Sequence, residues 1–199
     1  LFSRKIVVFC GAVVILFIIT AFFAPYIAPY DPDYADFAAF LEGPSKTHLL
    51  GTDSYGRDVL SRIVYGTRVS LIIGVLAVII ACVIGTFFGM VAGYFGGIVD
   101  DIITRLTEAV RAIPQVVLAM ALTAVFGSGI RNLAVILGIS SMAGYIRMMR
   151  GQVLSIKESD YVMAAKLQGN SNFQIMFRHI LPNSISPIIV MMTQQVGST

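Results

Sequence analysis

Five stretches of this chain contain no Asp, Glu, Lys, Arg or His: residues 6–24, 69–93, 112–130, 132–146 and 180–199. Charges crowd into the short polar segments between them. A charge at mid-bilayer costs about 2.5–3.5 kcal/mol on insertion scales, so this spacing predicts membrane-spanning helices. A helix needs about 20 residues to cross. Four of the windows are about long enough, and 132–146 can borrow Arg147 and Met149 by snorkelling. The expected architecture is all-α, a polytopic helical membrane protein with five spans.

Finer periodicities place elements between and within the spans. Residues 58–68 read as an amphipathic helix on the outer surface, with Val59, Leu60, Ile63 and Val64 on one side. In 69–93, Ala77, Ala81, Gly85, Gly89 and Gly93 recur every four residues. They form a small-residue stripe along which another helix backbone can approach closely. Residues 98–113 are amphipathic, with Ile98, Ile102, Leu106, Ala109 and Ile113 on one face. Asp101–Arg105 and Glu108–Arg111 stand at ion-pair spacing there. Pro25 and Pro29 should stop the first span, and Pro114 should kink the third. Gly127-Ser-Gly129 reads as a tight outer turn. Ser159 and Gly169 bracket a helix at 160–168, as N-cap and C′ residue. Ser171 caps another at 172–180, and Pro182 and Pro187 bend the chain into the last span. That run is still apolar at Thr199 and the chain opens on Leu1, which reads as a piece of a longer sequence.

Composition sharpens the class. Apolar residues make up 57% and charged residues 13%, with a mean hydropathy of +0.84, against roughly 25% charged residues in soluble domains. The net charge is +3, and its placement says more than its size. With Arg4 and Lys5 inside, nine basic residues fall on inner segments and five on outer ones, as the positive-inside rule asks. Segment 25–68 also holds six of the eleven acids. No basic cluster interleaved with aromatics suggests a nucleic-acid surface. The first apolar run is longer than a signal-peptide core of 7–15 residues. Cys10 and Cys82 read as buried, reduced small hydrophobes. The organisation is an N-terminal membrane helix (1–30), an extracytoplasmic segment (31–68) and a membrane core (69–199) with a cytoplasmic loop at 151–182.

Chemistry-bearing motifs are few. Gly51-Thr-Asp-Ser-Tyr-Gly-Arg-Asp58 has the glycine spacing of a phosphate loop. Arg57 and Asp58 stand where Lys and Ser/Thr are needed, and Asp58 would repel phosphate. There is no Ser/His/Asp set, no HExxH, no CxxC and no metal-ligand cluster. His48 and His179 read as solvated loop residues, His179 near a membrane boundary. No enzyme activity and no bound metal or cofactor is expected in this chain. A secondary transporter would usually need ionisable residues at membrane depth, and the five windows have none. A membrane enzyme would need clustered nucleophiles or ligands there.

Two segments carry a family resemblance. Tyr161-Val-Met-Ala-Ala-Lys-Leu-Gln-Gly169, then Arg178-His-Ile-Leu-Pro182, resembles the "EAA" loop of ABC-importer membrane subunits. Ala164, Ala165, Gly169, Leu181 and Pro182 fall on its spacing, while Met163 replaces the usual Glu and His179 the usual Ile. The outer segment from His48 to Leu71, with Ala92-Gly-Tyr-Phe-Gly-Gly97 and Arg178-His-Ile-Leu-Pro-Asn183, resembles the second permease subunit of dipeptide/oligopeptide/nickel importers. The resemblance covers nearly the whole chain. It implies a type I ABC-importer transmembrane domain in a bacterial or archaeal cytoplasmic membrane, with a sixth span expected. It further implies a heterodimer with another permease, two cytosolic ATPases holding ATP and magnesium, and an extracytoplasmic solute-binding protein. Tyr161, Met163, Ala164, Ala165, Lys166, Gly169, His179, Leu181 and Pro182 would then form the ATPase-coupling segment. Ala164 and Ala165 would allow close docking. Thr123, Ser128, Asn132, Ser140, Ser141, Gln194 and Gln195 are the polar candidates to line a path. The implied cargo is di- or oligopeptides, with nickel or a metal chelate as the alternative.

Overall fold

The structure, a computed structural model, describes residues 2–127 and 129–198, with side chains from Lys5 onward. Among the described residues the regular elements are helices, and extended pairing is limited to one bridge between Thr52 and Asp58. The chain forms two compact units, residues 1–72 and 73–199.

The first unit begins with α1 (Phe2–Phe22) and a one-turn α2 (Ala24–Ile27). α1 ends before Pro25, which sits in the first turn of α2. A missing N–H is harmless there, so Pro25 starts a turn and does not itself stop the span. Only 6% of the apolar window 5–22 is buried by the chain itself. Most of its side chains, Cys10 included, are exposed, so Cys10 is not the core residue the sequence suggested.

The segment after α2 is held by side chains that satisfy its own backbone. Asp53 is one hub. It accepts from the Tyr55 and Arg57 amides at 2.8 and 3.1 Å and from Arg57 Nε at 2.9 Å. Gly56 has φ +71°, and a Cβ there would collide with the Asp36 carbonyl. The phosphate-loop spacing is therefore a tight turn wound around a carboxylate. Asp58 is the second hub and closes the first turn of α3 (Val59–Phe95). Its Oδ2 accepts from the Ser61 amide at 2.8 Å and the Ser61 hydroxyl at 2.7 Å. His48 Nδ1 lies 3.0 Å from its Oδ1. Ser61 Oγ in turn accepts from the Tyr30 amide at 3.1 Å, and the Tyr30 and His48 rings stack with centroids 5.0 Å apart. His48 is thus mostly buried, not solvated. Its ring bonds Asp58 and not Ser61, so the trio holds structure and activates no nucleophile.

Both hub carboxylates are held below the ordinary range. Burial would raise Asp53, but the Arg57 guanidinium and the two amides outweigh it and bring it to about 2. Burial would also raise Asp58, and the Ser61 and His48 hydrogen bonds reverse the sign. A depressed carboxylate stabilises the fold above its unfolded pKa, near 3.9, and that contribution is lost as pH falls through the folded value. The segment around Asp53 and Asp58 should therefore loosen as pH falls from about 4 towards 2. Hydrogen exchange at the Tyr55, Arg57 and Ser61 amides, corrected for intrinsic rates, measures this. Protection unchanged across that range would contradict it. Ser61→Ala should raise the pH at which the Ser61-position amide opens and cost about 1–3 kcal/mol.

α3 is a single helix of 37 residues. The amphipathic segment 58–68 is therefore its first turns and not a separate surface helix. Nothing in the sequence there breaks the helix, since Gly66 costs only about 1 kcal/mol. The inward side is also turned from the expected one: Ser61 and Val64 are buried and Ile63 is exposed.

The second unit comprises the C-terminal part of α3 and α4 (Gly97–Ala112), α5 (Gln115–Phe126), α6 (Ile130–Ile156), α7 (Asp160–Leu167), α8 (Asn172–Asn183) and α9 (Ile185–Val196). α1, α3 and α6 are each long and apolar enough to cross a membrane. The count reaches five if the bent pairs α4–α5 (90°) and α8–α9 (62°) are each one span. Pro114 stands between α4 and α5 with ψ of 131°. The bend is therefore a full break and not a kink.

The glycine stripe of α3 lies against α6. A Cβ on Gly85 would stand 2.5 Å from Tyr145 Cβ and 2.7 Å from the Met142 carbonyl oxygen. One on Gly93 would stand 2.7 Å from Val153 Cβ. From the other side, Gly138 of α6 comes close to Ile80 and to the Ala77 carbonyl. Ala77 and Ala81 are buried.

α4 turns the side bearing Asp100, Ile103, Thr104 and Thr107 inward, and its charged Asp101, Arg105, Glu108 and Arg111 are exposed. Thr107 is buried and Asp100 half-buried, while Ile98, Ile102 and Leu106 are exposed. The expected Asp101–Arg105 and Glu108–Arg111 pairs do not form. Arg150 of α6 grips Asp100 instead, with Nε–Oδ1 2.5 Å and Nη2–Oδ2 2.6 Å. A two-pronged guanidinium–carboxylate bond in a partly buried setting outweighs the exposed ion pairs on a single helix.

Candidate coupling surface and polar groove

α7 is short because both of its ends are specified. Ser159 occupies the N-cap position with extended backbone. Its hydroxyl donates back to the Ile156 carbonyl at 2.6 Å and does not accept from α7. At the other end Gly169 takes φ +80°. The Gly169 amide donates to Lys166 O and the Asn170 amide to Ala165 O, at 3.0 and 3.2 Å. This crossed pair is a Schellman stop. Ser171 and Gln174 then form a reciprocal capping box that starts α8.

α8 is irregular where Pro182 demands it. Residues Ile175–Ile180 form a widened π turn, and the Leu181 amide reaches back to Met176 O. Proline lacks an N–H and its ring crowds the preceding carbonyls, so the helix widens ahead of it. Asn183 Nδ2 donates to the His179 carbonyl at 2.6 Å. Ser184, fully buried, marks the bend into α9. The expected 172–180 helix thus runs on through Pro182, and the break falls two residues later.

The inner side of this loop is a packed core. Val162 and Ala165 of α7 join Met90, Met149, Val153, Ile175, Met176, Ile180 and Ile188. Burying a side chain of the size of Val162 stabilises by about 1.5–3 kcal/mol. Ala165 is 3% exposed, so it faces the protein's own core and not a docking partner. Ala164 is exposed beside it. Tyr94, at the end of α3, clamps the loop. Its hydroxyl donates to Asn172 Oδ1 at 2.9 Å, and Lys166 Nζ lies 5.6 Å over its ring. Lys157 Nζ donates to the Gly93 carbonyl at 3.4 Å. The outer side of α7 presents Tyr161, Met163, Ala164, Lys166 and Leu167, with Leu167 89% exposed. Leu167 was absent from the motif reading. Its place at the last turn, just before Gly169, was the available signal. His179 and Leu181 are half-buried, and Pro182 is exposed.

The proposed lining residues separate into groups. Asn132 Nδ2 donates to the carbonyls of Phe126 and Gly127 at 2.7 and 3.4 Å, closing the end of α5. Ser140 Oγ donates to Ile136 O within α6. Gln194 is exposed, and Ser128 lies outside the described residues. Ser141 and Gln195 do meet, and Gln115, which the sequence reading omitted, joins them. Ser141 Oγ accepts from Gln115 Nε2 at 3.2 Å and from Gln195 Nε2 at 3.4 Å. Gln115 also opens a groove of about 600 Å³ between α5 and α6 that includes Thr123, Leu133 and Leu137.

A chain with these bent and straight spans, and a capped helix slung between two of them, is a membrane-embedded transport component. It belongs to the family of binding-protein-dependent transport system inner membrane components, whose pattern matches residues 85–199. Residues 1–44 match the N-terminal TM domain of oligopeptide transport permease C. The chain is 42% identical over 195 residues to the glutathione transport system permease protein GsiD of Pectobacterium atrosepticum, covering 98% of this chain and 65% of that one. It is 38% identical to the dipeptide transport system permease protein DppC of Alkalihalophilus pseudofirmus, covering 98% and 64%. To DppC of Haemophilus influenzae it is 37% identical, covering 94% and 66%. The chain therefore spans slightly less than two thirds of the length of these relatives.

Proposed function

We propose that this chain is one permease subunit of an ATP-driven importer and forms half of a path for di- or oligopeptides. The observation that carries the reading is the anatomy of α7. It is a stiff, doubly stopped helix, cored on one side by α3, α6 and α8, with an exposed Leu167–Met163–Tyr161 side on the other. Such an element can transmit force between a docked protein and the spans to which it is bonded. In this reading ATP and magnesium are bound and turned over by two cytosolic ATPase partners. A second permease completes the path, and a solute-binding protein delivers cargo from outside. The relatives are named for dipeptide and glutathione transport, which favours a peptide over nickel or a chelate.

The reading requires segment 31–66 outside and 151–178 inside. Cysteines placed at Ser54 and Ser171 should label from opposite membrane faces with an impermeant maleimide. Labelling from the same face would overturn the arrangement. Reconstituted with its partners, the complex should take up a dipeptide only when ATP is on the α7 side.

A further inference from the structure

We infer that Gln115 and Ser141 form a site for the peptide backbone within the membrane; this rests on the peptide-importer reading. Ser141 Oγ accepts two amide N–H groups, from Gln115 and Gln195. Its own O–H donates to no group among the described residues, and neither does Gln115 Oε1 accept from any. One unused donor and one unused acceptor therefore stand side by side on two helices. An extended peptide offers the complementary pair, a C=O and an N–H at every residue. The groove that Gln115 lines carries no ionisable side chain: its other walls are Val116, Ala119, Met120, Leu133 and Leu137, with the hydroxyls of Thr123 and Ser198. A site of this composition grips what all peptides share and leaves their side chains unread.

The depth suits a transport site. Gln115 lies eleven residues from the end of α5, and Ser141 eleven from the start of α6. At 1.5 Å per residue each is about 16 Å from the connecting turn. With that turn at the outer boundary of a core of about 30 Å, the pair sits near mid-membrane, where unpaired polar groups are expensive and a matching ligand gains most. A backbone bond here would hold the cargo midway, and its neutrality would let the cargo leave.

The test uses the full chain reconstituted with its partner subunits and binding protein. Uptake of Ala-Ala, Leu-Leu and Glu-Ala is compared between wild type and Gln115→Met, which keeps the length and removes the amide. Uptake of all three should fall by the same factor, about tenfold for one lost hydrogen bond. Recovery of the partner subunits with Gln115→Met and its thermal unfolding should match wild type, which separates a lost cargo bond from a lost complex. A cysteine at Ala119 should be modified by a small thiol reagent and protected during turnover. Uptake at the wild-type rate, a loss that depends on the side chain, or failure of both Gln115→Met and Gln115→Asn to assemble would overturn the site. So would a cysteine at position 119 shielded without cargo, which would assign the groove to the partner permease. If the wild-type complex shows no ATP-dependent dipeptide uptake, the importer reading falls and the site with it.

Discussion

Gly89→Leu is expected to eliminate the folded chain from the membrane, not merely to loosen its association with a partner. A Cβ at this position would collide with the Ile146 carbonyl and stand 2.9 Å from Met149 Cβ. The carbonyl is part of the α6 backbone and cannot rotate away. Overpacking usually costs about 1–3 kcal/mol, and a whole isobutyl group against a backbone exceeds the upper figure. Without the contact, α3 and α6 have no reason to stay together, because lipid solvates their apolar faces as well as they solvate each other. Met149 also belongs to the core beneath α7, so the damage should spread to α7. The measurement is the yield of monodisperse chain in detergent and its thermal unfolding. Gly11→Leu, with nothing within 4 Å of its Cβ, should behave as wild type. A normal yield of Gly89→Leu with altered transport would show instead that the stripe lines a path.

The membrane class, the helical state of the charge-free windows and the short helix before Gly169 were legible in the sequence. Each is fixed by local rules: absence of charge over a run, a cap, a glycine that alone tolerates positive φ. What stayed hidden was directional. The spacing of Gly85, Gly89 and Gly93 announced a close helix contact but not its partner, which is α6 of the same chain. Ala164 and Ala165 are adjacent and alike, yet one faces outward and the other enters the core, because successive helical residues lie 100° apart. Asp101 and Glu108 stood at pairing distance from Arg105 and Arg111 on their own helix, yet the ion pair that forms joins Asp100 to Arg150, fifty residues away. The widened turn at Ile175–Ile180 follows from Pro182, but its extent depends on how α8 meets the core. Gln115 was passed over because one polar residue after a proline looks like a helix start, and only its contact with Ser141 distinguishes it.

The second large effect is a contrast between two neighbours on α7. Leu167→Asp should leave the chain folded and inserted, while Ala165→Asp should not. Leu167 is the last residue of α7 and 89% exposed, so a carboxylate there stays in water and costs the fold almost nothing. Asp at position 165 would be buried among Val162, Ile175 and Ile180 without a partner, a charge burial worth several kcal/mol. Function should divide the two differently. If the exposed side of α7 docks on an ATPase, Leu167 is the most protruding apolar group available to fill a pocket, and such anchors carry much of an interface's energy. Leu167→Asp should then weaken ATPase association by tenfold or more and separate ATP hydrolysis from uptake. Met163→Glu, at a half-exposed site where the resembled loop carries an acid, should be tolerated. The comparison is ATPase recovery on the purified permease pair, followed by uptake and hydrolysis in proteoliposomes. Wild-type coupling in Leu167→Asp, in a chain shown to be folded, would mean that the docking surface lies elsewhere and that α7 is only a structural turn.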